Sequence, residues 1–231
     1  MLEVFTKIKD GLLDILLPRF CVGCGREGLY ICKDCEVFLS EVDPILGSPT
    51  SQISGNQEVG LPNIISVWEY EGVIEKAILK IKYEGQYHII DELVEKALER
   101  IDLKLPDDAV ITFVPMYKKR QRERGFNQAE LIAQKLGSVH SRRVHRLLEK
   151  IRDNKSQVGL GPREREENVK GVFGLAVPGT AKLGSTRYRQ TVLLVDDVYT
   201  TGATINECIK VLRKNGVKNV WTFTLARKLN I

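Results

Sequence analysis

Hydrophobic and polar positions alternate in blocks along residues 64–231, and the period of the blocks changes between strands and helices. Short runs rich in β-branched residues predict strands, and apolar residues three or four positions apart predict helices. The predicted order is strand, helix, helix, strand, helix, strand, helix, strand, over 64–70, 73–82, 87–100, 110–114, 127–136, 191–195, 204–215 and 220–226. This alternation predicts an α/β fold with a mostly parallel sheet, whose ligands bind beyond the carboxyl ends of the strands.

The chain before this region follows a different pattern. Apolar residues recur at helical spacing through residues 5–16 and the pattern stops at Pro18, which predicts a short amphipathic helix. Residues 43–63 are rich in Pro, Gly, Ser, Asn and Gln without an apolar period, which predicts a linker. We therefore expect a small module at 1–42, the linker, and a larger domain at 64–231.

Length and composition limit the class of protein. The chain has 231 residues, of which 43% are hydrophobic, enough for one α/β domain and a small module. Its longest apolar run, residues 11–17, is interrupted by Asp14 and is far shorter than the roughly 20 residues of a membrane-spanning helix, so no membrane span is predicted. Acidic residues interrupt the first 20 residues and no small-residue cleavage site follows, so we expect a cytoplasmic protein without a signal peptide.

The formal net charge of +5 is distributed unevenly. Residues 115–170 contain fifteen Lys and Arg against seven Asp and Glu, a net of +8 that leaves −3 for the rest of the chain. A local excess of this size predicts a polyanionic ligand, either a pyrophosphate group or the backbone of a nucleic acid. An ordinary solvated surface is the alternative interpretation.

Four of the five cysteines form a CxxC, seven-residue, CxxC arrangement: Cys21, Cys24, Cys32 and Cys35. Each CxxC turn can direct two thiolates at one metal ion, and four sulfur ligands suit a tetrahedral structural zinc site. Two disulfides or a redox-active CxxC are disfavoured by the expected cytoplasmic setting and by the lack of a thioredoxin-like pattern around the motif. An iron–sulfur cluster is a further alternative.

The strand at 191–195 is followed by two carboxylates and a Thr-rich turn that opens the next helix, in the sequence TVLLVDDVYTTGAT. We expect the backbone amides of residues 199–204, at the helix N-terminus, and the Thr hydroxyls to form a cradle for a phosphate. Gly202, which has no side chain, would let the phosphate approach the backbone closely. Asp196 and Asp197 would repel a phosphate, but they suit neutral ribose hydroxyls or a bridging Mg²⁺. A simple helix cap is the alternative interpretation.

A basic loop is predicted after the strand at 110–114, and it leads into the next helix. Asn127 and Glu130 have the spacing of a capping box, so the positive end of that helix faces the loop, where a pyrophosphate could bind. The candidate pyrophosphate ligands are Lys118, Lys119, Arg124 and Gly125. A polar, basic stretch at 152–173 is interpreted as a lid that closes over a charged ligand, or as a contact for nucleic acid.

The Val192 to Thr204 segment resembles the 5-phosphoribosyl-pyrophosphate (PRPP) motif of type I phosphoribosyltransferases. In that family the two acids contact the ribose hydroxyls and the turn holds the 5′-phosphate; here Ala203 replaces a frequent Gly. The implied PRPP ligands are Asp196, Asp197, Tyr199, Thr200, Thr201, Gly202, Ala203 and Thr204. Arg124-Gly-Phe similarly resembles the pyrophosphate loop of adenine-type enzymes, whose arginine contacts the diphosphate.

Nearly the whole chain resembles the ComF family of competence proteins. The resemblance rests on the four-cysteine module, Lys82-Tyr83-Glu84-Gly85, the RGFNQ segment, the positions Gln157, Leu160, Arg165 and Asn168, and DDVYTTGAT. It implies a cytoplasmic bacterial protein with a sheet of the type I phosphoribosyltransferase kind and an N-terminal zinc module. It also implies a role in natural transformation, with single-stranded DNA and competence-machinery proteins as partners.

Two hypotheses on function stay open at this point. The protein is either a phosphoribosyltransferase that uses PRPP with Mg²⁺ and releases pyrophosphate, or a non-catalytic module. Such a module would sense PRPP or bind single-stranded DNA through the same pocket and the basic 115–170 segment. No catalytic residue, acceptor or oligomeric state is predicted.

Overall fold

The structure is a computed structural model, and part of the chain is described by it. The described residues are 18–43, 45–46, 63–154, 161–176 and 191–229. The amphipathic helix predicted over residues 5–16, most of the predicted linker, and the positions Gln157 and Leu160 lie outside the described residues.

Strands and helices alternate as the sequence pattern predicts. The strands are β1 (Ile45–Leu46), β2 (Asn63–Glu69), β3 (Val110–Phe113), β4 (Leu148–Lys150), β5 (Phe173–Leu175), β6 (Thr191–Tyr199) and β7 (Asn219–Arg227). The helices are α1 (Lys33–Glu36), α2 (Gly72–Glu84), α3 (Ile89–Arg100), α4 (Lys118–Arg124), α5 (Gln128–Val139), α6 (Pro162–Val169) and α7 (Ala203–Lys214).

Five of these strands form one sheet in the order β1-β2-β7-β6-β3. The pairs β2–β7, β7–β6 and β6–β3 are parallel, and only the two-residue β1 is antiparallel to its neighbour. The mostly parallel sheet predicted from the sequence is therefore confirmed. Strands β4 and β5 form a separate antiparallel ribbon.

The centre of the sheet is buried on both faces. Val192, Leu193, Leu194 and Val195 of β6 are all inaccessible to solvent, which explains why this strand reads as a continuous apolar run and not as an alternating one. Helix α5 packs on β3 and β6, and α7 packs on β6 and β7. Because both faces are covered, ligands can approach this sheet only at the ends of its strands.

Two elements differ from the sequence-based prediction in ways that affect the site. Residues 118–124, predicted as a basic loop, form helix α4, which ends at Gly125 in the left-handed conformation (φ 89°). Lys, Arg, Gln and Glu are good helix formers, so charge alone did not indicate a loop. Strand β6 continues to Tyr199 because β7 continues beside it, pairing Asp196 with Thr224.

The four-cysteine module is joined to the sheet domain through helix α3. The Glu92 carboxylate of α3 accepts hydrogen bonds from the backbone amides of Tyr30 (3.0 Å) and Ile31 (2.8 Å). Ile31 has no solvent exposure and belongs to the same apolar cluster as the sheet, as does Val22. The module therefore shares one hydrophobic core with the larger domain.

Ion pairs reinforce this junction at its edge. Glu36 of α1 accepts from Lys96 at 2.5 Å and from Arg100 at 2.6 Å, both on α3.

Residues 45–46, inside the segment predicted as linker, form β1 and pair with β2. No helix among the described residues combines the length and the apolar character needed to cross a bilayer.

Substitution of Glu92 tests this junction. We expect Glu92→Ala to lower the free energy of unfolding by about 2 kcal/mol, because two amides of the module lose their acceptor. Urea denaturation followed by circular dichroism measures the change. The matched control is Glu95→Gln on the same helix, which removes an exposed ion pair with Lys135 and should change stability by less than about 0.5 kcal/mol. Equal effects of the two substitutions would contradict the assignment.

Candidate functional site

A cavity of about 790 Å³ opens beyond the carboxyl ends of β3 and β6. Its volume lies in the range of small-molecule sites. Among the described residues, six cations line it, namely Lys82, Arg120, Arg124, Lys150, Arg165 and Lys228. Three described acids line it as well, namely Glu75, Asp196 and Asp197. The excess of positive charge favours an anionic ligand.

All eight residues that the sequence predicts as PRPP ligands line this one cavity. Gly202 precedes α7 in the left-handed conformation (φ 75°), and a Cβ atom there would lie 2.5 Å from the Tyr199 hydroxyl. The left-handed conformation therefore favours glycine here, and a larger residue would also require the Tyr199 side chain to move. The Ala203 amide at the start of α7 donates to the Thr201 hydroxyl at 3.5 Å. The positive end of this helix lies at the cavity wall, where it favours an anion.

The acid pair at the end of β6 is compensated by a lysine from α2. The Lys82 ammonium lies 2.7 Å from Oδ2 of Asp197, and the two side chains are 20% and 9% exposed. Burial alone would lower the pKa of Lys82, but the charges of Asp197 and Asp196 outweigh it and raise that pKa. Lys82 is therefore a permanent cation at this site.

Asp196 differs from its neighbour in its surroundings. Burial, followed by the nearby charge of Asp197, raises the pKa of Asp196 well above its ordinary value. One of its oxygens accepts a hydrogen bond from the Asp197 amide at 2.9 Å. A group that is costly to ionise at this position favours neutral partners such as hydroxyl groups.

Arg124 is held at the cavity wall by two neighbours. Its guanidinium donates to the Gln128 side chain at 2.7 Å and lies 5.8 Å from the centre of the Tyr83 ring. Gln128 is one helical turn further along the chain, across the break at Gly125. The RGFNQ segment therefore contains both a cavity cation and the residue that orients it.

Asn127 in the same segment has a structural role. Its side chain accepts from the Ala129 amide at 3.1 Å, so it caps α5 as the sequence predicts. Its amide nitrogen donates to the Val114 carbonyl at 3.0 Å, at the end of β3. Asn127 is almost fully buried and fixes the start of α5 to the end of the strand.

Among the four predicted pyrophosphate ligands, only Arg124 lines the cavity. Gly125 is absent from its lining, and Lys118 and Lys119 are exposed on α4. Because α4 is a helix, Arg120 and Arg124 lie on the same face, four residues apart, and Lys118 and Lys119 lie elsewhere on the helix. Arg120 therefore lines the cavity instead, and it also donates to the Asn154 carbonyl.

Sequence reasoning did not identify Lys82 or Lys150 as residues of this site. Lys82 lies one turn after Ile78 on the buried face of α2. A cation on a buried face requires an acidic partner, so the apolar pattern of this helix could have indicated a role for Lys82. Lys150 lies on β4, and burial together with Arg120 lowers its pKa. A three-residue ribbon strand gives no comparable sequence signal.

The segment predicted as a lid is anchored to the helix that follows the phosphate turn. Gly171 donates its amide to Glu207 of α7 at 2.8 Å, and Asn154 donates to the Asn168 carbonyl at 3.2 Å. Arg165, on α6, lines the cavity. The ribbon and α6 therefore form one wall of the site.

The four predicted metal ligands come together in a second site. The Sγ atoms of Cys21, Cys24, Cys32 and Cys35 all lie within 4.8 Å of one another, and those of Cys24 and Cys32 are 3.6 Å apart. Four sulfurs around an ion at about 2.3 Å would be about 3.8 Å apart, so the cluster fits a tetrahedral ion. Within the described residues no His or carboxylate joins it. The cluster can therefore hold a structural metal ion.

Backbone amides stabilise the thiolate of one cysteine in this cluster. Burial would raise the pKa of Cys21, but the amides of Cys32, Cys24 and Gly23 outweigh it and lower that pKa, which favours the thiolate. A Cβ atom on Gly23 would lie 2.6 Å from the Cys35 sulfur and 3.4 Å from a methyl group of Val73. The cluster is thus packed closely against the start of α2.

Comparison with known proteins agrees with this geometry. Residues 122–230 match the family model described as a phosphoribosyl transferase domain. The chain is 32% identical to competence protein F of Haemophilus influenzae, over 90% of this chain and 84% of that protein. It is 30% identical to DNA utilization protein YhgH of Escherichia coli, over 72% of each, and 26% identical to competence protein ComFC of Bacillus subtilis, over 90% and 78%.

Substitutions at the buried ion pair test its importance. We expect Lys82→Met to lower the free energy of unfolding by about 3 kcal/mol, because Asp197 stays buried without a counter-ion. The double variant Lys82→Met, Asp197→Asn should recover most of this loss. Urea denaturation measures both.

The matched control is Lys80→Met on the same helix. It removes an i,i+4 pair with Glu84 that is largely open to solvent, and its effect should be at most about 0.5 kcal/mol. A double variant no more stable than Lys82→Met would show that the two charges do not compensate one another.

Proposed function

The chain belongs to the ComF family of competence proteins, and from this we propose that it binds PRPP as its Mg²⁺ complex and acts in DNA uptake and use. The observation that carries the proposal is the placement of the acid pair and the phosphate turn in one cavity with an excess of cations. The relatives named as competence and DNA utilization proteins support the DNA role.

PRPP has three parts, and each has a partner in the cavity. The amides and hydroxyls of residues 199–204 would hold the 5′-phosphate at the start of α7. The carboxylates of Asp196 and Asp197 would accept hydrogen bonds from the ribose hydroxyls. Arg124, with Arg120 and Lys150, would contact the pyrophosphate. Because Lys82 neutralises Asp197, the acid pair can lie beside this anionic ligand with less repulsion.

A transferase reaction is consistent with this placement. An acceptor nucleophile would form a bond to C1 of the ribose while the C1–O bond to pyrophosphate breaks. The bonding electrons leave with pyrophosphate, and the acceptor releases its proton to solvent. The cations would stabilise the charge that develops on the leaving group, and Mg²⁺ would enter with the ligand. Binding of PRPP without turnover, as a sensor, is the second candidate function.

We propose zinc as the ion held by the four cysteines. Four thiolates in a closed tetrahedral arrangement are typical of structural zinc, which would hold together a module too small to fold on its own core. The ion would fix the CxxC turns against α2 and α3 and take no part in chemistry at the cavity. Thiols kept free for a metal suit a reducing compartment, which supports a cytoplasmic location.

PRPP binding is tested by calorimetry with Mg²⁺. We expect the double variant Asp196→Asn, Asp197→Asn to lose at least about tenfold in PRPP affinity, because each substitution replaces an oxygen by an NH2 group that cannot accept a hydrogen bond from a ribose hydroxyl. The matched control is Glu75→Gln, which removes another cavity carboxylate and should cause no loss. Unchanged affinity in the double variant would overturn the assignment of the acid pair.

Turnover is measured in the same preparation. The protein is incubated with PRPP, Mg²⁺ and a panel of nucleobases, amines and single-stranded oligonucleotides, and release of pyrophosphate is followed. Release that depends on one class of acceptor supports transfer. Binding without release for every acceptor supports the sensor.

Metal analysis tests the zinc proposal. We expect the purified protein to carry one zinc ion, and Cys35→Ser to lose it and to unfold at a lower temperature. The matched control is Cys208→Ala, since Cys208 is buried in α7 away from the cluster, and it should keep the zinc. Iron with a visible absorbance band, or full zinc content in Cys35→Ser, would contradict the proposal.

A further inference from the structure

Arg227, the last residue of β7, is a buried cation without a partner among the described residues. Its side chain is 8% exposed, and its Nε and Nη1 atoms are closed to solvent and form no hydrogen bond. Arginine does not lose its proton in proteins, so it cannot escape the cost of a buried charge by becoming neutral. A bound anion would offset that cost.

The register of the sheet places Arg227 beside the phosphosugar cavity. It pairs with Tyr199 of β6 on one side and with Glu69 of β2 on the other. Paired residues of neighbouring strands lie about 4.8 Å apart, with their side chains on the same face of the sheet. Tyr199 lines the cavity, and so does Lys228, the next residue in the chain. Tyr70 lines it too, and its amide donates to the Arg227 carbonyl at 2.7 Å.

Glu69 is the acid beside Arg227 in the sheet, and no ion pair between the two is found in the described part of the chain. Glu69 is only partly buried, so its carboxylate can be hydrated without Arg227. Because no hydrogen bond fixes the guanidinium, the long side chain can turn toward an anion in the neighbouring cavity. The partner of Arg227 is therefore sought in a ligand.

The strand order puts Arg227 on the side of the ribose that faces away from the pyrophosphate. In the proposed function the ribose lies at the end of β6, and the pyrophosphate lies toward β3, next to Arg124. Strand β7 lies on the other side of β6. A nucleophile that displaces pyrophosphate must align with the breaking C1–O bond and approach from the far side. The end of β7 is therefore the place where an acceptor would enter.

Apolar side chains complete this part of the cavity wall. Burial raises the pKa of Tyr70, and Lys82 and Glu75 of α2 lie close enough to act on that pKa as well. Leu79 lies between Glu75 and Lys82 on the same face of the helix, lines the cavity and is 39% exposed. Tyr70 and Leu79 thus offer apolar surface to a flat ring, next to the positive charge of Arg227.

We propose that Arg227 binds the carboxylate of a small aromatic acid that serves as the phosphoribosyl acceptor. The ring of the acid packs on Tyr70 and Leu79, and its nucleophilic nitrogen faces C1 of the ribose. That nitrogen forms the bond to C1, the electrons of the C1–O bond leave with pyrophosphate, and a proton on the nitrogen, where it carries one, passes to solvent. The inference rests on the proposed transferase function and adds the class of acceptor.

Rates of pyrophosphate release with matched acids and amides test the proposal. The probes are anthranilate with anthranilamide and nicotinate with nicotinamide, because the members of each pair differ in the charge that Arg227 binds. We expect kcat/KM to be at least about tenfold higher for one of the acids than for its amide. Arg227→Gln should abolish this preference and keep the affinity for PRPP, and Arg227→Lys should keep part of the preference.

Thermal unfolding of Arg227→Met gives a readout that a structural role would move in the opposite direction. The substitution removes a buried charge that has no partner, so we expect the unfolding midpoint of the free protein to rise by about 2–4 °C. The preferred acid should raise the midpoint of the unaltered protein and leave that of Arg227→Met unchanged. A lower midpoint in both Arg227→Met and Glu69→Gln would show that these two residues pair with each other, and would overturn the proposal.

The matched control is Lys218→Gln, which removes an exposed positive charge just before the other end of β7. It should keep the full preference for the acid. Equal turnover of acids and amides by the unaltered protein, or a preference that survives in Arg227→Gln, contradicts the role of Arg227. Release of pyrophosphate with an oligonucleotide and with none of the small acids contradicts the class of acceptor.

Failure of this proposal is distinguishable from failure of the proposed function. PRPP affinity of the unaltered protein is measured by calorimetry with Mg²⁺ and without any acceptor. A protein that binds PRPP and releases pyrophosphate without preferring an acid overturns the role of Arg227 alone. A protein that binds PRPP without release for any acceptor overturns the acceptor subsite and supports the sensor, and absence of PRPP affinity overturns the proposed function itself.

Discussion

The ion pair between Lys82 and Asp197 is the interaction on which the site depends. Two adjacent carboxylates at the end of a buried strand repel one another and repel any phosphate beside them. Lys82 compensates this charge from α2, and the same helix brings Tyr83 to Arg124. One helix therefore supplies both the counter-ion of the acid pair and the ring beside Arg124.

The RGFNQ segment shows how a motif divides its roles. Gly125 ends α4, Asn127 caps α5 and ties it to β3, and Gln128 holds Arg124 in place. Arg124 is the charged residue of this segment that lines the cavity, and its long side chain can reach a ligand there. Most of what makes this segment recognisable is therefore the geometry needed to turn the chain between two helices.

The sheet, and the place of the acid pair and the Thr-rich turn at the end of a strand, could be predicted because each is formed by contiguous residues. The apolar run of β6 and the two acids that follow it lie within a few positions of each other, and so does Gly202. Lys82 was not predicted as a site residue, and Arg120 was not distinguished from the other cations of its segment, because both roles depend on which face of a helix points at the cavity. Which face points at the cavity is decided by packing between elements distant in sequence. For Arg120 it could not be predicted, because its segment was predicted as a loop and not as a helix.

The hydrophobic core includes residues on both sides of the linker that the change of composition predicts. Ile31 and Val22 are buried in the same cluster as the sheet, and β1 extends the sheet from within the linker segment. A fragment beginning at residue 64 would lose these side chains from its core and leave the Glu92 carboxylate without its amides. The cavity and the four-cysteine module therefore belong to one folding unit, and removing the module by truncation would damage the cavity that the truncation was meant to isolate.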